Sequence, residues 1–133
     1  MIAIDTSVAV AAFASWHERH RAAPRLLERE EARLIDQVAL ETYAVLTRLP
    51  PPHRAPAAVV VGFLDAFAPL LSLPGPQLRR LLRRLAFLGI SGGAAYDARV
   101  AAAALDAGLP LATLDRRALP VYQAVGAQVR LLP

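Results

Sequence analysis

The chain has 133 residues, 56% of them hydrophobic and 20% charged, which sets aside disorder and leaves room for one compact domain. It contains no cysteine, lysine or asparagine, so disulfides, thiol nucleophiles, Cys-type zinc sites, Schiff bases and P-loop chemistry all drop out. All fifteen basic residues are arginine, and the net charge of +4 with a pI near 10.6 suits either a polyanionic partner or a basic surface without one.

Met1 to Asp5 is an apolar run closed by an acid, and Thr6 and Ser7, both good N-cap types, precede Val8 to Phe13. The pattern predicts strand, tight turn, helix. Trp16 to Glu31 has helical spacing interrupted at Pro24, Arg33 to Ile35 predicts a short strand, and Gln37 to Leu49 a helix halted by Pro50, Pro51 and Pro52. Pro56 to Phe67 reads as a buried helix and Leu70 to Leu73 as a brief strand between Pro69 and Pro74. Gln77 to Leu88 is amphipathic, with Leu78, Leu81, Leu82, Leu85 and Leu88 opposed to Arg79, Arg80, Arg83 and Arg84.

After a glycine-rich turn over Ile90 to Gly93, Ala95 to Ala107 predicts a helix ended by Gly108. Leu109 to Thr113 is a strand, a short helix reaches about Val125, and Gln128 to Leu132 is the last strand. Strands alternating with helices imply an α/β fold with a mainly parallel sheet covered on both faces. Charges or prolines interrupt every apolar run well before the ~18 residues of a membrane span. No basic segment precedes the first apolar residues, and Asp5 interrupts them where a signal peptide would continue, so the expected location is cytoplasmic with no membrane contact.

Asp5 and Asp115 each lie just past a predicted strand's C-terminal end, the edge where open α/β sheets bind ligands at the reversal of strand order. Asp97 lies near the start of the alanine-rich helix, where the dipole favours a carboxylate, and Glu41 lies within a helix. Singly, each has an ordinary explanation as a cap or a solvated acid. Together they would form a carboxylate cluster, which persists only if a cation or basic partner compensates it. All-oxygen ligation suits Mg2+ or Mn2+ better than zinc. Position alone gives only Asp5 and Asp115 a shared site.

The segments MIAIDTSV, LETYAVLTRL, YDARVAAAALDAGLPLATLDRRAL and AQVRLL resemble, in order and spacing, the PIN-domain ribonucleases, specifically the VapC toxins of bacterial toxin–antitoxin pairs. The likeness spans nearly the whole chain and is most specific in the third segment. It implies a single PIN domain over residues 1–133, a three-layer sandwich with a five-stranded parallel sheet in the order 3-2-1-4-5. It also implies that Asp5, Glu41, Asp97 and Asp115 bind metal and catalyse, and that Thr6 and Thr113 are hydroxyls beside the metal or its waters. The implied activity is Mg2+-dependent endoribonuclease hydrolysis of RNA by metal-activated water, Mn2+ being the other candidate ion. The implied partners are a VapB-like antitoxin and a second copy of the chain as homodimer. Arg99 departs from the pattern, standing where an aliphatic residue is common, and Ala118-Leu119 replaces a frequent Asp-Phe.

Arg116 and Arg117, beside the proposed site, are the better candidates for gripping RNA phosphates. The arginines of Gln77 to Leu88 read first as a solvated face and only second as a phosphate grip. His17 and His20 read as part of an exposed polar surface. Two other classes compete. A phosphoryl-transfer enzyme of the haloacid-dehalogenase or receiver type also starts with a strand-end Asp, but the former wants a second Asp where Ser7 stands, and both commonly use a lysine. A catalytically silent PIN-like module that binds RNA or protein would need none of the four acids.

Overall fold

The computed structural model describes residues 1–133. Four short parallel strands, β1 (Ile2–Ile4), β2 (Ala32–Leu34), β3 (Leu111–Thr113) and β4 (Val129–Leu131), form one sheet in the order β2-β1-β3-β4. Neighbours along β1 point to opposite faces of the sheet, and Ile2, Ala3 and Ile4 are all fully buried, so both faces are covered. The strand order reverses at β1, with β2 on one side and β3 on the other.

The five-strand expectation is corrected here. Of Leu70 to Leu73 only Leu71 pairs, as a single parallel bridge to Ile35 beyond β2: its N–H donates to the Leu34 carbonyl and its carbonyl accepts the Asp36 N–H, both at 2.8 Å. Pro69 and Pro74, which carry no N–H, bound the segment and prevent the ladder from extending. The bridge occupies the position that a third strand would have held in a 3-2-1-4-5 sheet.

Seven α-helices connect these strands: α1 (Thr6–Phe13), α2 (Ala22–Arg29), α3 (Asp36–Arg48), α4 (Ala57–Asp65), α5 (Gly75–Leu88), α6 (Ala94–Asp106) and α7 (Leu119–Val125). They gather in two sets, α1 packing on α2 and α3 with α4 against α3, and α6 packing on α5 and α7. Ala98, Ala101, Ala103 and Ala104 of α6 are buried, and such small side chains let the helix pack closely between α5 and α7. Gly89 and Gly126 end α5 and α7 with φ of 70° and 101°, left-handed values that glycine adopts without a Cβ penalty.

Three helical expectations change. Trp16 to Glu31 is helical only from Ala22. Before that, His20 Nδ1–H donates to the Ala11 carbonyl at 2.8 Å and His17 Nδ1 accepts the Arg19 N–H at 3.0 Å, side-chain bonds that compete with a helical backbone. Pro24 then sits in the first turn of α2, where its missing N–H has no intrahelical partner to lose.

Residues 56–67 do contain a helix, α4, but not a buried one. Of α4 only Val60 is buried, while Val59 and Val61 are exposed, because three consecutive valines spread around a helix and only one side meets α3. In α5, Leu81 and Leu85 enter the core, but Leu82 and Leu88 are exposed, so the apolar stripe is narrower than its spacing suggests.

Candidate active site

Asp5 leaves the end of β1, the central strand, and its carboxylate caps α1, accepting the Val8 N–H at 3.2 Å. The sequence left that role open to Asp5 and to the N-cap types Thr6 and Ser7, and the acid takes it. Those hydroxyls turn elsewhere. Thr6 Oγ1 donates to Glu41 Oε2 at 2.9 Å, and Ser7 Oγ donates to Asp5 Oδ1 at 2.5 Å while accepting the Leu114 N–H at 2.9 Å. Ser7 therefore stitches the end of β1 to the end of β3.

Asp115 follows β3 and caps a 3-10 turn over Arg116–Ala118, its Oδ1 accepting the Arg117 N–H at 2.9 Å. Thr113, fully buried, donates to Asp5 Oδ2 and accepts the Asp115 N–H at 2.9 Å, which ties the two strand-end acids together. Glu41 comes from the middle of α3 and Asp97 from the first turn of α6. All four acids line one small cavity of about 70 Å³, with Thr6, Ser7, Val100 and Tyr122 completing its wall.

The electrostatics follow from that crowding. Burial pushes the Asp97 carboxyl above its ordinary range, and the charges of Glu41, Asp115 and Asp5 push it further the same way. Burial also raises Asp5, against the pull of hydrogen bonds from Ser7, Thr113, the Val8 N–H and Tyr122. The site concentrates negative charge on a gradient from buried Asp5, through half-buried Glu41 and Asp97, to exposed Asp115.

The PIN-domain profile matches residues 2–123. The chain belongs to the PIN-domain family. This PIN domain is 48% identical to Ribonuclease VapC40 of Mycobacterium tuberculosis over 134 residues, covering 99% of each chain. It is 40% identical to Ribonuclease VapC27 of the same organism over 129 residues, covering 96% of this chain and 94% of that one. Among solved structures, VapC20 of M. tuberculosis, a Sarcin-Ricin loop cleaving toxin, superposes with a TM-score of 0.73 at 21% identity over all of both chains. FitAcB from Neisseria gonorrhoeae does so with a TM-score of 0.72 at 19% identity, covering 97% of this chain and 96% of that one.

Donor chemistry in this PIN domain fits a hard divalent cation: every polar group on the cavity wall is an oxygen, and four are carboxylates. The acids surround the cavity without any three closing into a ready-made ligand set.

Two wall residues escaped the sequence reading as site residues. Tyr122, buried on α7, donates its hydroxyl to Asp5 Oδ2 at 2.9 Å, and Ser7 donates to the other oxygen. Burial, the charge on Asp5 and this bond together push the Tyr122 phenol far above its usual range, so it stays a donor. A polar aromatic at helical spacing near the second strand-end acid was the available signal. Tyr122→Phe should lower stability by about 1–3 kcal/mol, the cost of removing a buried hydrogen bond to a carboxylate, measurable as a shift in urea midpoint.

Arg116 and Arg117 are exposed beside Asp115 and pair with no acid, the ion pairs of the chain being Arg99–Asp36 and Arg130–Glu30. Among the arginines of α5, Arg84 donates to the Val125 and Ala124 carbonyls at 2.9 and 3.3 Å and so caps α7, whereas Arg79 and Arg83 lie in solvent.

Proposed function

We propose that this chain is a metal-dependent endoribonuclease and the toxin of a VapBC-type pair, folded as one PIN domain over residues 1–133. The observation that carries the reading is the meeting of four acids, from a strand end, two helices and a second strand end, around one cavity in a chain close to the VapC ribonucleases.

In this reading Asp5, Glu41, Asp97 and Asp115 are the catalytic acids and hold Mg2+, with Mn2+ a substitute. When bound, the ion supplies Lewis acidity and lowers the pKa of water, so that hydrolysis needs no side-chain nucleophile. Thr113, Ser7 and Tyr122 aim the Asp5 carboxylate, and Thr6 fixes Glu41. Val100 closes the cavity wall with an apolar surface, which strengthens the electrostatic forces inside.

Arg116 and Arg117 take the RNA phosphates. Replacing both by alanine should raise KM for RNA and flatten its salt dependence by roughly two counterions, with kcat little changed. Exposed apolar side chains of α4, Val59 and Val61, and Trp16 supply surface for the antitoxin and for a homodimer. No helix is long and apolar enough to cross a membrane.

The direct test is RNA cleavage by the purified chain with Mg2+, with Mn2+ and with EDTA. Cleavage that appears with either ion and vanishes with EDTA supports the reading. A folded chain that binds RNA but cuts none under any of the three conditions is instead a silent binding module.

A further inference from the structure

Beside the catalytic cavity lies a second, wider cleft of about 360 Å³, lined by Asp36, Gln37, Leu40, Tyr96 and Arg99. Its size falls in the range of roughly 300–1,000 Å³ typical of small-molecule sites. The two hollows have no lining residue in common but are joined through Gln37. Gln37 Nε2 donates to Glu41 Oε1 at 2.7 Å and to the Tyr96 carbonyl at 2.9 Å, and Tyr96 directly precedes Asp97 in the chain.

Two apolar side chains flank the cleft without serving the core: Leu40 is 70% exposed and Tyr96 65%. The floor is polar and already organised. Arg99 reaches both oxygens of Asp36, Nη1 to Oδ1 at 3.0 Å and Nη2 to Oδ2 at 3.3 Å, and Nη1 also donates to Gln37 Oε1 at 3.2 Å. Asp36 in turn accepts the Gln37 N–H at 2.6 Å and the Ser72 hydroxyl at 2.8 Å. The acid is thus fully engaged, whereas a guanidinium has five N–H groups and Arg99 uses three. Its Nε–H and one Nη2–H, the parallel pair along one edge, meet no protein acceptor.

We propose that this cleft binds one nucleobase of the RNA next to the scissile phosphate, stacked on Tyr96 and against Leu40, and that the free edge of Arg99 selects guanine. An arginine fork carries two donors and no acceptor, and guanine presents two adjacent acceptors, O6 and N7, along one edge. Adenine offers N7 beside an amino donor, which the fork repels. An aromatic face stacks any base, so Tyr96 supplies grip and Arg99 supplies choice. Arg99, the departure from the family pattern, thereby acquires a role in specificity. The location next to the catalytic acids rests on the nuclease reading above; the preference for guanine does not.

The test uses the unmodified chain in EDTA, so that no RNA is cut, with fluorescent oligouridines carrying one central guanosine, adenosine, cytidine or 7-deazaguanosine. Anisotropy should show the guanosine oligomer binding about tenfold or more tightly than the others, 7-deazaguanosine included because it lacks the N7 acceptor. Tyr96→Ala should weaken binding of all four oligomers about tenfold, and Tyr96→Phe should retain it. Arg99→Met and Arg99→Lys should both erase the preference, since lysine restores the charge without the fork. Equal affinity for the four oligomers, or a guanine preference that survives Arg99→Met, overturns the proposal. Guanine-selective binding without Mg2+-dependent cleavage would sink the nuclease reading alone, and cleavage without base preference would sink this one alone.

Discussion

Asp97→Asn should reduce Mg2+-dependent RNA cleavage at least a hundredfold and at the same time raise the melting temperature of the metal-free protein. Both effects have one cause. The carboxyl sits partly buried near Glu41, Asp115 and Asp5, which makes it valuable to a cation and costly to the fold without one. Asparagine keeps the shape and removes the charge.

The linkage gives a pH signature as well. A carboxyl whose folded-state pKa lies above the unfolded value of 3.8 binds protons more tightly in the native state. Its stabilising contribution is therefore full below 3.8 and is lost as pH rises through the folded pKa. Asp5 acts in the same direction. Asp36 acts in the opposite one: burial raises it, but Arg99, Ser72 and the Gln37 N–H more than offset this, so its contribution is lost as pH falls below 3.8. Melting curves of the metal-free chain should decline as pH rises above 3.8 through the raised folded-state values, Asp97→Asn should flatten the decline, and Mg2+ should restore stability in the native chain far more than in the variant. An Asp97→Asn protein that cleaves normally, or melts lower than the parent, would show that Asp97 belongs to an ordinary helix terminus.

Ile4→Ala should cost about 3–4 kcal/mol, a large part of the roughly 5–15 kcal/mol that holds a domain of this size together. Ile4 is fully buried on the central strand, pairs with both Leu34 and Ala112, and immediately precedes Asp5. The cavity left behind has little means to collapse, because strands flank it on both sides. Leu82→Ala on α5 provides the contrast: at 56% exposed its loss should stay near or below about 1 kcal/mol. Urea titration of the two variants measures the difference between a core position and an exposed one that share an apolar character.

The strand positions and two of the four acids could be read from the chain because strand ends are local events: an apolar run, an acid, then helix-forming residues. The order of the strands in the sheet came only with the family resemblance. Glu41 and Asp97 have no such marker, since an acid on a helix looks the same whether it faces solvent or a cavity. Their meeting depends on how α3 and α6 approach the sheet edge. Tyr122 reaches Asp5 across 117 residues, and Ser7, a local partner of Asp5, gains its role in the site from the Leu114 N–H 107 residues away. The misjudged burial of α4 and the exposure of Leu82 on the α5 stripe have the same origin: periodicity shows which residues are apolar, whereas the neighbouring elements decide how wide a face they cover. Leu71 shows the reverse, a strand-like segment held to one bridge by the prolines around it.

The cavity draws its acids from both ends of the chain, and Ser7 and Thr113 close the seam between Asp5 and Asp115. Any product of interrupted translation or proteolysis that stops short of β3 lacks that seam and one of the acids. A growing polypeptide therefore cannot assemble the cavity until β3 and Asp115 have left the ribosome, well after Asp5 and Glu41 have done so.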